Sequence, residues 1–372
     1  MKKNLLIYPL FASLFLLSAC GCSGITKVTD AITNPSAREL YVRELKNDID
    51  VKSWESAYES AVNDSLIVTL PYGEKGRFNP ATPIAYSYTV GLQEGEILDA
   101  QITQDVAQRT FLEVFEWDGN SFRSIGQTVG SRISAAGENA GLFKLVVQPE
   151  FGATGNFFVS INKKPLYEFP VSGKGNAAIQ SFWGQVRDAG KRSHEGIDIF
   201  AKRGTPVVAV ADGIVTRTGD HGIGGKQVWL RTGIFGKSVY YAHLDRIAVE
   251  SATSVKVGDT LGFVGNTGNA KGGATHLHFG IYSDYGAVNP LSFVYRTDNI
   301  VARSFPMNFS SASLRIKSAK ATLRQGPDTD FNKIGELKAG ESVTFLGQTK
   351  DWIHVQTSVG QKAFLHKSLV KV

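Results

Sequence analysis

Between Ser65 and about Lys164 apolar and polar residues alternate in short runs, "SLIVTL", "AYSYTV", "ILDAQIT", "TFLEVFEW", "GLFKLVVQ" and "FFVSIN", with the turn "WDGN" between two of them. A period of two marks a strand with one buried face, and several such runs in close succession predict a β-sandwich over residues 65–165. The stretch before it has another rhythm. In "PSARELYVRELKNDIDVKSWESAYESAV" the residues Leu40, Leu45, Ile49, Trp54, Ala57, Tyr58 and Ala61 fall at helical spacing, and Pro35 with Ser36 suits a helix start. Residues 20–64 are thus read as a polar tether followed by a helical segment. Strand-like runs return further on in "GTPVVAVADGIV" and "SVYYAHLD", so the chain is expected to be mainly β.

At 372 residues the chain exceeds what one core usually holds, which predicts about two or three domains. Hydrophobic residues at 42% and charged ones at 20% fit a globular chain rather than a disordered one. The two cysteines, Cys20 and Cys22, both lie near the start, so the folded body has neither a disulfide framework nor a thiolate metal site to draw on. That start reads as an address. Lys2 and Lys3 precede an apolar run from Leu5 to Leu17, short for a membrane span and well suited to the core of a secretory signal. The run ends in "LSAC", which resembles the lipobox at which bacterial lipoproteins are cut and acylated. Residues 1–19 are then a lipoprotein signal peptide and Cys20 the lipidated first residue, with a plain signal peptide as the alternative. Cleavage would trim the formal charge of +6 by the two lysines, leaving too small an excess to argue for nucleic acid as a partner.

Seven histidines are present, and five of them fall between His194 and His278. In "GGATHLHFGIY" one residue separates His276 from His278, so in a strand both rings leave the same face. In "SHEGIDIF" His194, Gly196 and Asp198 alternate with Glu195, Ile197 and Ile199, placing an imidazole and a carboxylate on one face while the isoleucines enter the core. Zinc accepts both ligand types. Glu195 points the other way, and Gly196 with Asp198 argues against an H-E-x-x-H helix. In "SVYYAHLD" Val239, Tyr241 and His243 alternate with Ser238, Tyr240, Ala242 and Leu244. Each piece alone also reads as a polar strand face, a hydrogen-bonded His–Asp pair or a rim residue.

Together and in this order, H-x-x-x-D from His194 to Asp198, "YAHL" around His243 and "THLHFGI" around His276 and His278 resemble the lysostaphin and LytM-type zinc metallopeptidases of the bacterial cell wall. From about Ile179 to Phe293 the connecting sequence is similar too, in "GTPVVAVADGIV", "VKVGDTLGFVGNTGNAKGG" and "VNPLSF". The resemblance implies a central antiparallel β-sheet metallopeptidase domain over residues 172–300. It implies His194, Asp198 and His278 as ligands of one Zn2+ per chain, with His243 and His276 beside the metal as catalytic residues. His221, in "GDHGIGG", matches no motif position and reads as a loop residue. Two imidazoles and a carboxylate leave the fourth tetrahedral position of zinc for water. His276 is expected to act as the base, and His243 to bond the water or the oxyanion. The glycine-rich "GNTGNAKGGATH" and "HGIGGK" are expected to let an extended peptide come close.

Residues 313–372 resemble the bacterial SH3-like β-barrels of wall hydrolases, in Leu323, Arg324, Gly326 and Pro327, in "LKAGESV", and in "DWIHV" followed by "KAFLHKSLV". Trp352 and Phe364 are expected to divide between core and ligand surface, and the unit either to bind wall or to dock on the catalytic domain. His354 and His366 belong to it and need no metal. The sandwich is similar to the pre-peptidase modules beside secreted peptidases and holds no catalytic constellation. The whole is expected to be an endopeptidase acting on the stem or cross-bridge peptides of peptidoglycan, held to the membrane by lipid on Cys20. Gly21, where many lipoproteins retained in the inner membrane carry aspartate, favours the outer membrane facing the periplasm. The rival expectations are a non-catalytic or autoinhibited relative that scaffolds or activates other wall hydrolases, and a pure wall-binding lipoprotein. No regulatory protein partner is implied.

Overall fold

The structure, a computed structural model, describes residues 35–45 and 51–372 apart from 138, 188–189, 234–235, 299, 301–304, 306 and 310–311. The chain divides into two units, residues 1–49 and 50–372. In the first, helix α1 (Ala37–Leu45) starts on a reciprocal cap: the Glu39 amide donates to Ser36 Oγ at 3.1 Å and the Ser36 amide to the Glu39 carboxylate at 2.6 Å. The apolar leader and Cys20 lie outside the described residues, as does Ile49. Among the described residues no helix is long and apolar enough to cross a membrane.

In the second unit helix α2 (Val51–Asn63) packs on the sandwich. Trp54 donates from Nε1 to the Pro149 carbonyl at 3.0 Å and meets Phe111 edge-on, while Gln148 donates back to the Trp54 carbonyl at 2.7 Å. Burying that indole contributes about 3 kcal/mol. The helix is therefore part of the sandwich rather than of a tether. One layer orders its strands Tyr86–Leu92, Gly141–Pro149, Thr110–Trp117 and Phe122–Val129; the other contains Tyr72–Arg77, Asn156–Pro165, Glu96–Gln104 and Arg132–Ala136. Tyr86, Tyr88 and Val90 of the first layer and Leu98, Ala100 and Ile102 of the second fill the core between them, as period two requires. The expected first strand, "SLIVTL", makes only an isolated bridge at Ile67, although Leu66 and Val68 are buried.

The second layer runs on into the C-terminal unit. Tyr72–Arg77 pairs on its free side with Ser342–Thr349, Lys75 opposite Gln348 and Gly76 opposite Gly347, so strands of the SH3-like unit extend the sandwich sheet. A side chain at Gly76 would strike the Leu346 carbonyl and the Phe157 ring. Leu346 and Phe364 enter the sandwich core and Trp352 packs against it. Phe364 and Trp352 thus both serve the junction, in place of the expected division between core and ligand surface. At its centre sits fully buried Glu74, which accepts from Tyr72 Oη at 2.6 Å and Tyr88 Oη at 3.2 Å and stands 3.2 Å from Nδ1 of His354.

The histidine-rich region builds an eight-stranded antiparallel sheet, running Ser254–Val255, Gly213–His221, Gly225–Thr232, Ser238–Ala242, His276–Ser283, Ile197–Phe200 and Ile179–Ser181, with Gly286–Val288 paired to His276–Ser283. One face carries Val228, Leu230, Val239, Tyr241, Leu277, Phe279 and Ile281 into a core shared with the small sheet of Pro206–Val208, Thr260–Val264 and Leu244–Ile247. The opposite face forms the floor of a groove.

Candidate metal centre and groove

Two neighbouring strands set the centre. Asp198 pairs directly with His278, and Phe200 with His276, so alternation brings the carboxylate and both imidazoles to the groove face. His194 arrives from the irregular segment before the Ile197–Phe200 strand, where a bend at Gly196 brings its ring back to Asp198 in place of the extended alternation expected from the sequence. Nε2 of His194, Oδ1 of Asp198 and Nδ1 of His278 stand at the corners of a triangle whose three edges are each 3.1 Å. Tetrahedral zinc with bonds of about 2.0 Å needs ligand atoms about 3.3 Å apart, so the donor set fits the ion. The Phe182 carbonyl 2.9 Å from Nδ1 of His194 can only accept, which puts the proton on that nitrogen and leaves Nε2 as a lone pair.

The carboxylate is fixed from its other side. Arg187, on the short hairpin of Val186–Arg187 and Arg192–Ser193, donates from Nη2 to Asp198 Oδ2 at 3.0 Å and also to Ser181 Oγ. Burial alone would raise the Asp198 carboxyl, but the adjacent His194 and His278 imidazoles outweigh it and hold the group far below the usual carboxylate range. Burial pushes His278 below its ordinary value, partly offset by Asp198. Gly196 makes room for this ring: a Cβ there would lie 2.6 Å from His278 Cε1 and 2.7 Å from Nε2.

His276 and His243 border the triangle, their ring centroids 5.0 Å apart. His276 Nε2 is 3.9 Å from Asp198 Oδ1, and its Nδ1 donates to the Ala274 carbonyl at 2.9 Å. His243 donates from Nδ1 to the Thr267 carbonyl at 2.8 Å. In the neutral tautomer this leaves the lone pair of each ring on Nε2. Strict alternation would send His243 to the core with Val239 and Tyr241; its φ of 59° turns the ring to the groove instead. Burial first, then the neighbouring imidazoles, push His243 down to about 4.

The groove encloses about 700 Å³ and crosses the sheet, from Phe200 and Asp198 past Tyr240 and Trp229 to Arg217. Its walls include Ile223 and Asn269 from the two glycine-rich loops. Those glycines serve loop-to-loop packing as much as access: a side chain at Gly225 would strike the Gly268 amide, and one at Gly268 the Ile223 carbonyl. His221, expected in a loop, ends the strand Gly213–His221 and borders the groove. His354 is buried at the sandwich junction and His366 caps the short turn after its strand. The sequence reading overlooked Arg187, the three carbonyls that fix the imidazoles, and the aromatic floor; none has a motif spacing that announces it.

Residues 192–290 match peptidase family M23, and residues 319–371 match the bacterial SH3 domain. An L-Ala–D-Glu endopeptidase of Bacillus subtilis (strain 168) is 34% identical over 128 residues, 32% of this chain and 39% of that protein. The DD-carboxypeptidase/endopeptidase Mpg of Neisseria meningitidis serogroup B (strain ATCC 13091 / M2091) is 35% identical over 138 residues, 37% of this chain and 31% of that one. This chain thus spans well under half the length of either. Among solved structures, the catalytic domain of lysostaphin from Staphylococcus simulans is 30% identical over 31% of this chain and 89% of its own, with a TM-score of 0.29.

Proposed function

We propose that this chain, which carries a peptidase family M23 domain and a bacterial SH3 domain, is a zinc-dependent endopeptidase cutting stem or cross-bridge peptides of bacterial peptidoglycan during wall remodelling. The observation that carries the reading is the 3.1 Å triangle of one carboxylate and two imidazole ligand atoms, set in an open groove. Zinc held there supplies Lewis acidity for the scissile carbonyl and for water. His276, with Nδ1–H engaged by Ala274, uses Nε2 to take the proton of the attacking water and returns it to the leaving amine. His243, pushed down to about 4, is neutral at neutral pH, so its Nε2 accepts a hydrogen bond. It orients the water, and gains a proton to donate toward the oxyanion only if one is passed to it. The names of the relatives, an L-Ala–D-Glu endopeptidase and a DD-carboxypeptidase/endopeptidase, support the substrate class.

Anchoring by lipid on Cys20, with the body in the periplasm beneath the outer membrane, belongs to the same proposal. Fatty-acid labelling that persists in Cys20→Ala would count against it. For the activity, the test is mass spectrometry of fragments released from purified peptidoglycan by zinc-loaded protein, with Asp198→Ala as control. Cleaved cross-links or stems that vanish in the control are expected; an uncut wall despite one zinc per chain would overturn the reading.

A further inference from the structure

Away from the metal ligands the groove floor continues in one row across four strands: Gly280, Tyr240, Trp229 and Arg217, each paired with the next. Arg217 reaches this row by a local irregularity. Val215 pairs with Leu230 on the core side, the register then shifts, and Arg217 rather than Thr216 comes opposite Trp229. A bulge of this kind re-aims a side chain. The guanidinium lies over the indole, 5.3 Å from its centroid, and Trp229 in turn packs against Tyr240, ring centroids 4.4 Å apart and planes tilted by 32°. Among the described residues no carboxylate pairs with Arg217, which is exposed on the groove. A cation on an aromatic shelf, with its hydrogen-bonding fork unspent, suits a planar anion laid along the floor.

Position narrows the ligand. Strands stand about 4.8 Å apart, so Trp229 and the guanidinium above it are about 10 Å from the His276–Ser283 strand. The row crosses that strand at Gly280, two residues from His278, which lengthens the path to about 12 Å; an extended peptide advances about 3.3 Å per residue, which puts Arg217 about three to four residues from the bond at the metal centre.

Resting on the endopeptidase reading, we infer that Arg217 on its Trp229–Tyr240 shelf is a specificity subsite for a free peptide carboxylate about three to four residues from the scissile bond, selecting acid-bearing stem peptides over uncharged glycine bridges. A charge-assisted pair at this exposed site favours the carboxylate by roughly tenfold over the matching amide.

The experiment uses zinc-loaded protein and pairs of synthetic cross-linked stem peptides, identical except that the carboxylate three or four residues to either side of the scissile bond is free or amidated. In wild type, kcat/KM is expected to be roughly tenfold higher for the free acid of one pair. That ratio falls toward one in Arg217→Gln and inverts in Arg217→Glu, with the change carried mainly by KM. Equal use of both members of every pair by wild type, or an unchanged ratio in Arg217→Gln, overturns the inference. Should neither peptide be cut, the endopeptidase reading fails on that count, and equilibrium binding of the same pairs decides the subsite separately. A tenfold carboxylate preference lost in Arg217→Gln supports it, and no preference ends it.

Discussion

Gly196→Ala tests whether the metal centre is as tightly fitted as its distances require. The added methyl would lie 2.6 Å from His278 Cε1, 2.7 Å from Nε2 and 2.7 Å from the Phe279 carbonyl, whereas ordinary contact begins at 3.4 Å. Relief requires the ring to retreat by roughly 0.8 Å, because the carbonyl belongs to the sheet ladder and yields less readily than a side chain. Metal–ligand bonds tolerate displacements of about 0.2 Å. Zinc affinity is therefore expected to fall at least as far as on losing an outer-shell partner, about 10- to 100-fold. Overpacking costs the metal-free fold a further 1–3 kcal/mol or so. Competition against a chromophoric chelator measures the first, and denaturant unfolding without metal the second. Gly175→Ala serves as control, since nothing lies within 4 Å of its Cβ position. An affinity within twofold of wild type in a folded Gly196→Ala protein would show that the ring is free to move and that the 3.1 Å triangle is not enforced by packing.

Further expectations follow from the same geometry. Arg187→Ala removes the donor on Asp198 Oδ2 and should lower zinc affinity about tenfold or more, with Arg187→Lys recovering part of it in the chelator assay. His276→Gln is expected to keep its zinc and lose about 10²- to 10⁴-fold in turnover; retained turnover would remove it as the base. For His243, the folded pKa of about 4 lies below the unfolded 6.5, so between those values the unfolded chain binds the extra proton. Metal-free protein should hold full stability above pH 6.5 and lose about 3 kcal/mol of it as pH falls to 4, a slope that denaturant titrations should find reduced in His243→Phe. Glu74→Ala strips the acceptor from Tyr72 and Tyr88 and the partner from His354, and should cost about 3 kcal/mol. Its unfolding curve should show the sandwich and SH3-like unit losing structure together, and separate transitions in wild type would contradict a shared sheet.

What the sequence disclosed and what it hid follow one physical distinction. His276, His278 and Asp198 lie on regular extended backbone, where a two-residue period converts directly into a shared face, while His194, four residues before Asp198, meets it only because the chain bends at Gly196. The side chains that finish the site depend on departures from that period. His243 reaches the groove through a left-handed residue, Arg217 through a register shift, and Arg187 from a two-residue hairpin strand. Alternation predicts the opposite face for His243 and is silent on the other two. The junction of sandwich and SH3-like unit was hidden for another reason. Its strand, "YGEKGR", lacks an apolar rhythm because it is chosen for backbone proximity at Gly76 and for a buried acid at Glu74. A strand that pairs on both edges and buries a carboxylate looks, in one dimension, like a loop. The consequence bears on function: Phe364 and Trp352, the aromatic residues that would advertise a ligand surface, are occupied in holding the C-terminal unit to the sandwich. If that unit contacts wall it must use side chains turned away from the sandwich, such as exposed Lys333 and Lys338 on the edge strand whose Ile334 packs toward the core, and substituting those two lysines would then weaken wall binding without loosening the junction.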